Sequence, residues 1–156
     1  MEDTLNCGHA FARTICDENY SEDVILLLFG DLGAGKTTFM RGVIDGFGGP
    51  QSANSPSFNI LNIYKAGQRT ICHIDAYRDA SISWESLMLD DILCSPFCCT
   101  IEWPENFHNL PKLPTIKLYL KMFGDQRLLT FSSENKNLMR DLVKALTTSI
   151  LHQSGN

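Results

Sequence analysis

Two hydrophobic rhythms divide this chain. One is an unbroken apolar run, Val24-Ile25-Leu26-Leu27-Leu28-Phe29, closed by Gly30. So short a run without polar alternation predicts a central strand buried on both faces. The other is a period near 3.6: Phe39, Met40, Val43, Ile44 and Phe47 recur on one side of a helix. Gly46, Gly48, Gly49 and Pro50 stop that helix.

Weaker patterns fill the rest. Leu5 to Ile15 predicts a short helix with Leu5, Ala12 and Ile15 inward, and Glu18 to Asp23 is a polar connection. Phe58 to Tyr64 and Arg69 to Asp75 read as strands joined at Ala66-Gly67, an antiparallel hairpin. Ser81 to Leu93 reads as a helix with Ser83 as its N-cap, ended by Pro96. Cys98 to Ile101 is a short strand that delivers Glu102. Thr115 to Met122 and Arg127 to Phe131 form a second hairpin about a Phe-Gly-Asp-Gln turn. Ser132-Ser133 caps a last helix reaching about Leu151, with Leu138, Leu142, Leu146 and Ile150 inward. The 156 residues predict one α/β domain, 1–156, able to bury about two-thirds of its unfolded surface.

The strand and helix of the first paragraph flank Gly30-Asp31-Leu32-Gly33-Ala34-Gly35-Lys36-Thr37-Thr38. That context gives G-x-x-x-x-G-K-[ST] its meaning as a phosphate-binding P-loop. Its four fixed positions match by chance in roughly one chain of this length in 200. Glycines leave no Cβ in the way, so successive backbone N–H groups can face an anion. The helix N-terminus adds its unpaired donors and the positive end of its dipole. Lys36 reaches the β- and γ-phosphates as a point charge, and the Thr37 hydroxyl suits Mg²⁺. Ser55-Pro56-Ser57 lies in a polar loop after this helix, where a switch facing the γ-phosphate is expected; a surface connection is the plainer alternative.

Acids then enter as metal partners. Asp75 ends an apolar strand, where a P-loop enzyme places a Mg²⁺-side carboxylate, although a cap or turn role is the ordinary reading. Alternation puts His73, Asp75 and Tyr77 on one face. A partly buried, hydrogen-bonded imidazole is the ordinary reading of His73. Glu102, at the mouth of the next strand, is the second candidate acid; otherwise it is a surface acid paired with a lysine. Trp103 beside it is either a site reporter or a packing residue.

Composition narrows the partners. Net charge is −5, with no Lys/Arg cluster, against tight autonomous nucleic-acid binding. No apolar run approaches the ~18 residues a membrane span needs, and the acidic Met-Glu-Asp-Thr start is no signal peptide. A cytoplasmic protein is expected. Cys7, Cys16, Cys72, Cys94, Cys98 and Cys99 form no C-x-x-C and no zinc spacing, so free thiols are expected.

Four motifs in order resemble the TsaE (YjeE) family: Leu28 to Phe39 over the P-loop, Ser55-Pro56-Ser57-Phe58, His73-Ile74-Asp75-Ala76-Tyr77-Arg78, and Ile101-Glu102-Trp103-Pro104-Glu105. The resemblance covers about Thr4 to Glu105. It implies a P-loop NTPase-like three-layer α/β sandwich with a mixed sheet. It implies a bacterial ATPase, using Mg²⁺ and ATP/ADP, needed for threonylcarbamoyl modification of the adenosine beside the tRNA anticodon. The partners would be the TsaD–TsaB transferase pair, which the ATPase resets or activates between turnovers. Lys36 would contact the phosphates, and Thr37 and Glu102 would hold Mg²⁺. Asp75 would sit beside the metal and the attacking water. Ser55, Pro56 and Ser57 would form the switch, and Thr4 would lie near the adenine side. Two residues depart from the family: Ser57 stands where Thr is usual, and Met88 where Gly is frequent.

Two further readings compete. A small-molecule kinase would use the same loop, but the chain carries no Arg-rich lid insertion. A nucleotide-gated binding module would need occupancy without cleavage. Arg41 and Arg78 are the available arginine fingers, each more ordinary as an ion-pair residue. Slow hydrolysis alone, stimulated by partners, is the expectation.

Overall fold

The computed structural model describes residues 2–15, 22–49, 59–66 and 69–153, with side chains as far as 147. Its core is a six-stranded sheet in the order β2-β3-β4-β1-β5-β6. The strands are β1 (Val24–Phe29), β2 (Leu61–Ala66), β3 (Arg69–Asp75), β4 (Phe97–Glu102), β5 (Thr115–Phe123) and β6 (Gln126–Ser133). β1 pairs parallel with β4 and β5, and β4 pairs parallel with β3. Both edges are antiparallel hairpins, β2–β3 and β5–β6. The mixed α/β sheet expected from the sequence is therefore present.

The central position of β1 follows from its composition. Five of its six residues are buried, feeding both faces at once. Leu26 and Leu28 pack with α1 (Glu2–Ile15), α2 (Lys36–Gly46) and α4 (Lys136–Gln153), while Ile25 and Leu27 pack with Ile82, Trp84, Leu89 and Phe107 opposite. That opposite layer is thin, with turns, the short α3 (Leu89–Ile92) and a 3₁₀ turn at Pro104–Asn106.

Helices α1 and α2 cross closely because glycine lines the contact. A Cβ on Gly42 would strike the Leu5 carbonyl, one on Gly8 the Phe39 carbonyl, and one on Gly46 would stand 2.7 Å from the Ala12 methyl. Gly46 thus closes α2 as its last residue, and Gly48, at φ 75°, turns the chain away. Cys7, Cys72, Cys94, Cys98 and Cys99 are thiols outside any disulfide, as expected. Burial pushes the Cys99 thiol well up, and its Cys72 neighbour adds to this.

Two expectations change. The helix read over Ser81 to Leu93 is broken. Ser83 and Ser86 do form a reciprocal cap, each hydroxyl accepting from the other's N–H at 3.0 and 2.8 Å. One turn later the chain closes on itself: Met88 N donates to Glu85 O (2.9 Å) and Leu89 N to Trp84 O (3.2 Å). That is the Schellman pattern, with Met88 in the left-handed position at φ 50°, where glycine is usual. The second change concerns α4, where β6 runs on through Ser133 and the cap is Asn135, whose Oδ1 accepts from Leu138 N at 3.1 Å. Leu138 and Leu142 are buried as expected and Leu146 partly so; the Ile150 side chain and the loop Ser55, Pro56 and Ser57 lie outside the described residues.

Candidate active site

The site forms where β1, β3 and β4 end side by side. Parallel pairing sets Leu28 opposite Glu102, and Glu102 opposite Asp75. Two backbone bonds tie the three ends: Trp103 N donates to Leu28 O (3.3 Å) and Ala76 N to Glu102 O (3.1 Å). The loop from Gly30 to Gly35 then enters α2. Gly33 at φ 80° and Gly35 at φ 108° adopt conformations that L side chains rarely take, which bend the loop around its own amides. A Cβ on Gly30 would also collide with the Leu120 carbonyl of β5.

A pocket of about 420 Å³ opens over this junction, a size suited to a small ligand. Leu32, Gly33, Gly35, Lys36, Thr37, Thr38, Asp75, Tyr77, Arg78, Glu102 and Trp103 line it. Sequence reasoning placed most of these together. Gly30, Asp31 and Ala34 shape the loop from behind: the carbonyls of Gly30 and Asp31 point inward to Lys36, and Ala34 is buried. Thr4 is buried in α1, its methyl 3.6 Å from where a Cβ on Gly35 would stand, and does not line the pocket. Tyr77 lies past the end of β3, in a turn where its N–H donates to Asp75 Oδ1 at 3.1 Å. Arg78 lines the pocket and Arg41 does not.

Lys36 is the electrostatic centre. Only 5% of it is exposed. Its Nζ donates to Gly30 O (2.6 Å) and Asp31 O (3.2 Å) and lies 4.0 Å from the centre of the Trp103 ring. Burial lowers its pKa below the ordinary value, while Glu102, Asp75, Glu105 and Asp31 pull the other way. Trp103 holds this contact from a left-handed backbone (φ 57°), and its ring meets Tyr77, tilted, at 4.8 Å between centroids. Such backbone strain in an aromatic residue gathers at functional sites. The lysine–tryptophan contact was invisible in the motifs.

Glu102 is no surface acid. It is 3% exposed, and its Oε1 accepts from His73 Nε2 at 2.9 Å. His73 is itself buried. The donor set fits a small hard cation bound with a phosphate. Among the described residues no three His, Cys, Asp or Glu side chains could hold a metal by themselves. Mg²⁺ characteristically takes one or two carboxylates and fills its octahedron with hydroxyl, water and phosphate oxygens; Thr37, Asp75 and Glu102 supply that kind of set.

A family model described as threonylcarbamoyl adenosine biosynthesis protein TsaE matches residues 1–129. The chain belongs to the TsaE family. The tRNA threonylcarbamoyladenosine biosynthesis protein TsaE of Rickettsia bellii is 41% identical over 130 residues, 82% of this chain and 86% of that protein. The Bacillus subtilis protein of the same name is 36% identical over 110 residues, 70% of this chain and 69% of its own length. The crystal structure of B. subtilis YdiB superimposes with a TM-score of 0.65 at 29% identity, covering 94% of this chain and 88% of YdiB. The fold is therefore P-loop NTPase-like, as the motifs implied, and the TsaE family takes part in tRNA threonylcarbamoyladenosine biosynthesis. Among the described residues no helix is long and apolar enough to cross a membrane.

Proposed function

We propose that this chain is a Mg²⁺-dependent ATPase that serves tRNA threonylcarbamoyl modification together with the TsaD–TsaB pair. The observation that carries the reading is a convergence. A buried lysine at a helix N-terminus faces two carboxylates delivered by adjacent strands, all lining one pocket. Loop amides and Lys36 would offset charge on the phosphates, and Thr37 and Glu102 would hold Mg²⁺. A bound Mg²⁺ would supply charge neutralisation on the phosphates. Asp75, fixed by the Tyr77 amide, would orient the attacking water.

Slow turnover by the isolated chain is expected, and the resting contacts of the lysine support it. Its ammonium donates to two loop carbonyls and lies over an indole face, so moving onto a phosphate gives up part of that set. The test is phosphate release by the purified chain, alone and with TsaD and TsaB. Slow release that the pair accelerates is expected; fast turnover indifferent to the pair overturns the coupling. Calorimetry showing no Mg²⁺-dependent affinity for ADP or ATP overturns the ATPase itself. A Glu102→Ala chain that still binds ATP and still supports tRNA modification replaces it with a nucleotide-gated module.

A further inference from the structure

We propose that His73 is a positioning residue for Glu102, setting that carboxylate before any metal arrives. The inference rests on the Mg²⁺ reading above and extends it to a residue that touches neither nucleotide nor pocket.

The geometry allows one arrangement. His73 and Thr100 are opposite each other across the β3–β4 pairing, and Glu102 follows two residues on, so all three share a sheet face. A carboxylate only accepts, so at 2.9 Å the His73 Nε2–H donates to Glu102 Oε1. Among the described residues the other nitrogen, Nδ1, is buried with no hydrogen-bond partner, as is Thr100 Oγ1. A neutral imidazole has one N–H and one lone pair, so a ring that donates through Nε2 keeps its lone pair on Nδ1. The imidazole is therefore held in its Nε2–H tautomer with one hydrogen bond to give, and it gives that bond to Glu102.

The consequence reaches the pocket. A free glutamate side chain samples many rotamers about three torsions, and ordering it is paid at the moment of metal binding. Here one carboxylate oxygen is anchored from below by a buried ring on a neighbouring strand. The remaining lone pairs of the group stay available to the pocket that Glu102 lines. Outer partners of ligating carboxylates have this orienting effect in metal sites generally. Asp75 has an anchor of its own in the Tyr77 amide.

The test compares the full-length chain with His73→Leu, which removes the donor, and His73→Gln, which restores an N–H near the same place. Calorimetry measures ADP affinity with Mg²⁺ and with EDTA. His73→Leu should lose about 10–100-fold of the Mg²⁺-dependent affinity, with the EDTA affinity unchanged and His73→Gln recovering most of the loss. Equal Mg²⁺ enhancement in wild type and His73→Leu, or equal loss with and without Mg²⁺, overturns the proposal. A second measurement needs neither metal nor a His73 variant. Imidazole ¹⁵N NMR of the metal-free protein should show His73 as the Nε2–H tautomer, with a resonance that moves in Glu102→Gln. An Nδ1–H tautomer, or a resonance blind to that change, overturns the proposal even if His73→Leu does not fold. A wild-type chain with no Mg²⁺ enhancement strikes the ATPase reading instead, and the NMR result then still decides the His73–Glu102 contact.

Discussion

The two halves of the sheet are built to different rules. β4 is buried at all six positions, and β3 at all but its last. β6 alternates between exposed and half-buried residues along its whole length, and β5 alternates until its exposed tip. The β3–β4–β1 half is covered on both faces, so its only accessible parts are the strand ends, and the pocket lies there. Among the described residues the β5–β6 half has helices on one face only, and Tyr119, Phe123 and Leu128 are exposed on the other. A strand sealed on both sides can present a carboxylate at its end in a fixed direction and with little water. A half-open hairpin provides core on one side and tolerance on the other.

The sharpest test of that contrast is a pair of leucines. Leu26, fully buried in β1, should cost about 2–5 kcal/mol of unfolding free energy on truncation to alanine, read by denaturant titration. Leu128, 58% exposed in β6, should stay within about 0.5 kcal/mol as Leu128→Thr. Similar losses at both sites would erase the distinction. A pair of lysines tests the chemistry in the same way. Lys36→Ala should slow phosphate release by about 10²–10³-fold, the scale of losing one charge-stabilising donor. Lys121→Ala, on the exposed part of β5, should leave the rate unchanged.

A smaller effect is expected at Met88, in the thin layer that covers the β3–β4 half. Met88 is 63% exposed and left-handed, so glycine there relieves backbone strain while giving up little packing. Met88→Gly should raise stability by about 0.5–1 kcal/mol, the relief less the extra freedom of glycine in the unfolded chain. A loss of stability would mean that the thioether packs better than its exposure indicates.

The legible parts of this molecule were the local ones. The apolar run of β1, the glycines and lysine after it, and the helical spacing of Phe39, Met40, Val43 and Ile44 lie within one strand–loop–helix unit, and each reinforces the others. Both hairpins were readable for the same reason, since their partners are neighbours in sequence. The failures were local too, but concerned where helices stop and start. Met88 ends a helical turn without being glycine, and Asn135 caps α4 two residues after the serines that looked better placed.

By itself, then, the sequence determined the glycine-rich loop between β1 and α2, the acids that end two strands, and the family to which the chain belongs. Only the tertiary structure decided what those groups touch. His73 meets Glu102 across 29 residues of chain, and Lys36 meets Trp103, because β4 inserts between β3 and β1 in the sheet. Strand order is settled by burying apolar faces of the whole domain at once, so no local pattern records which side chains become neighbours.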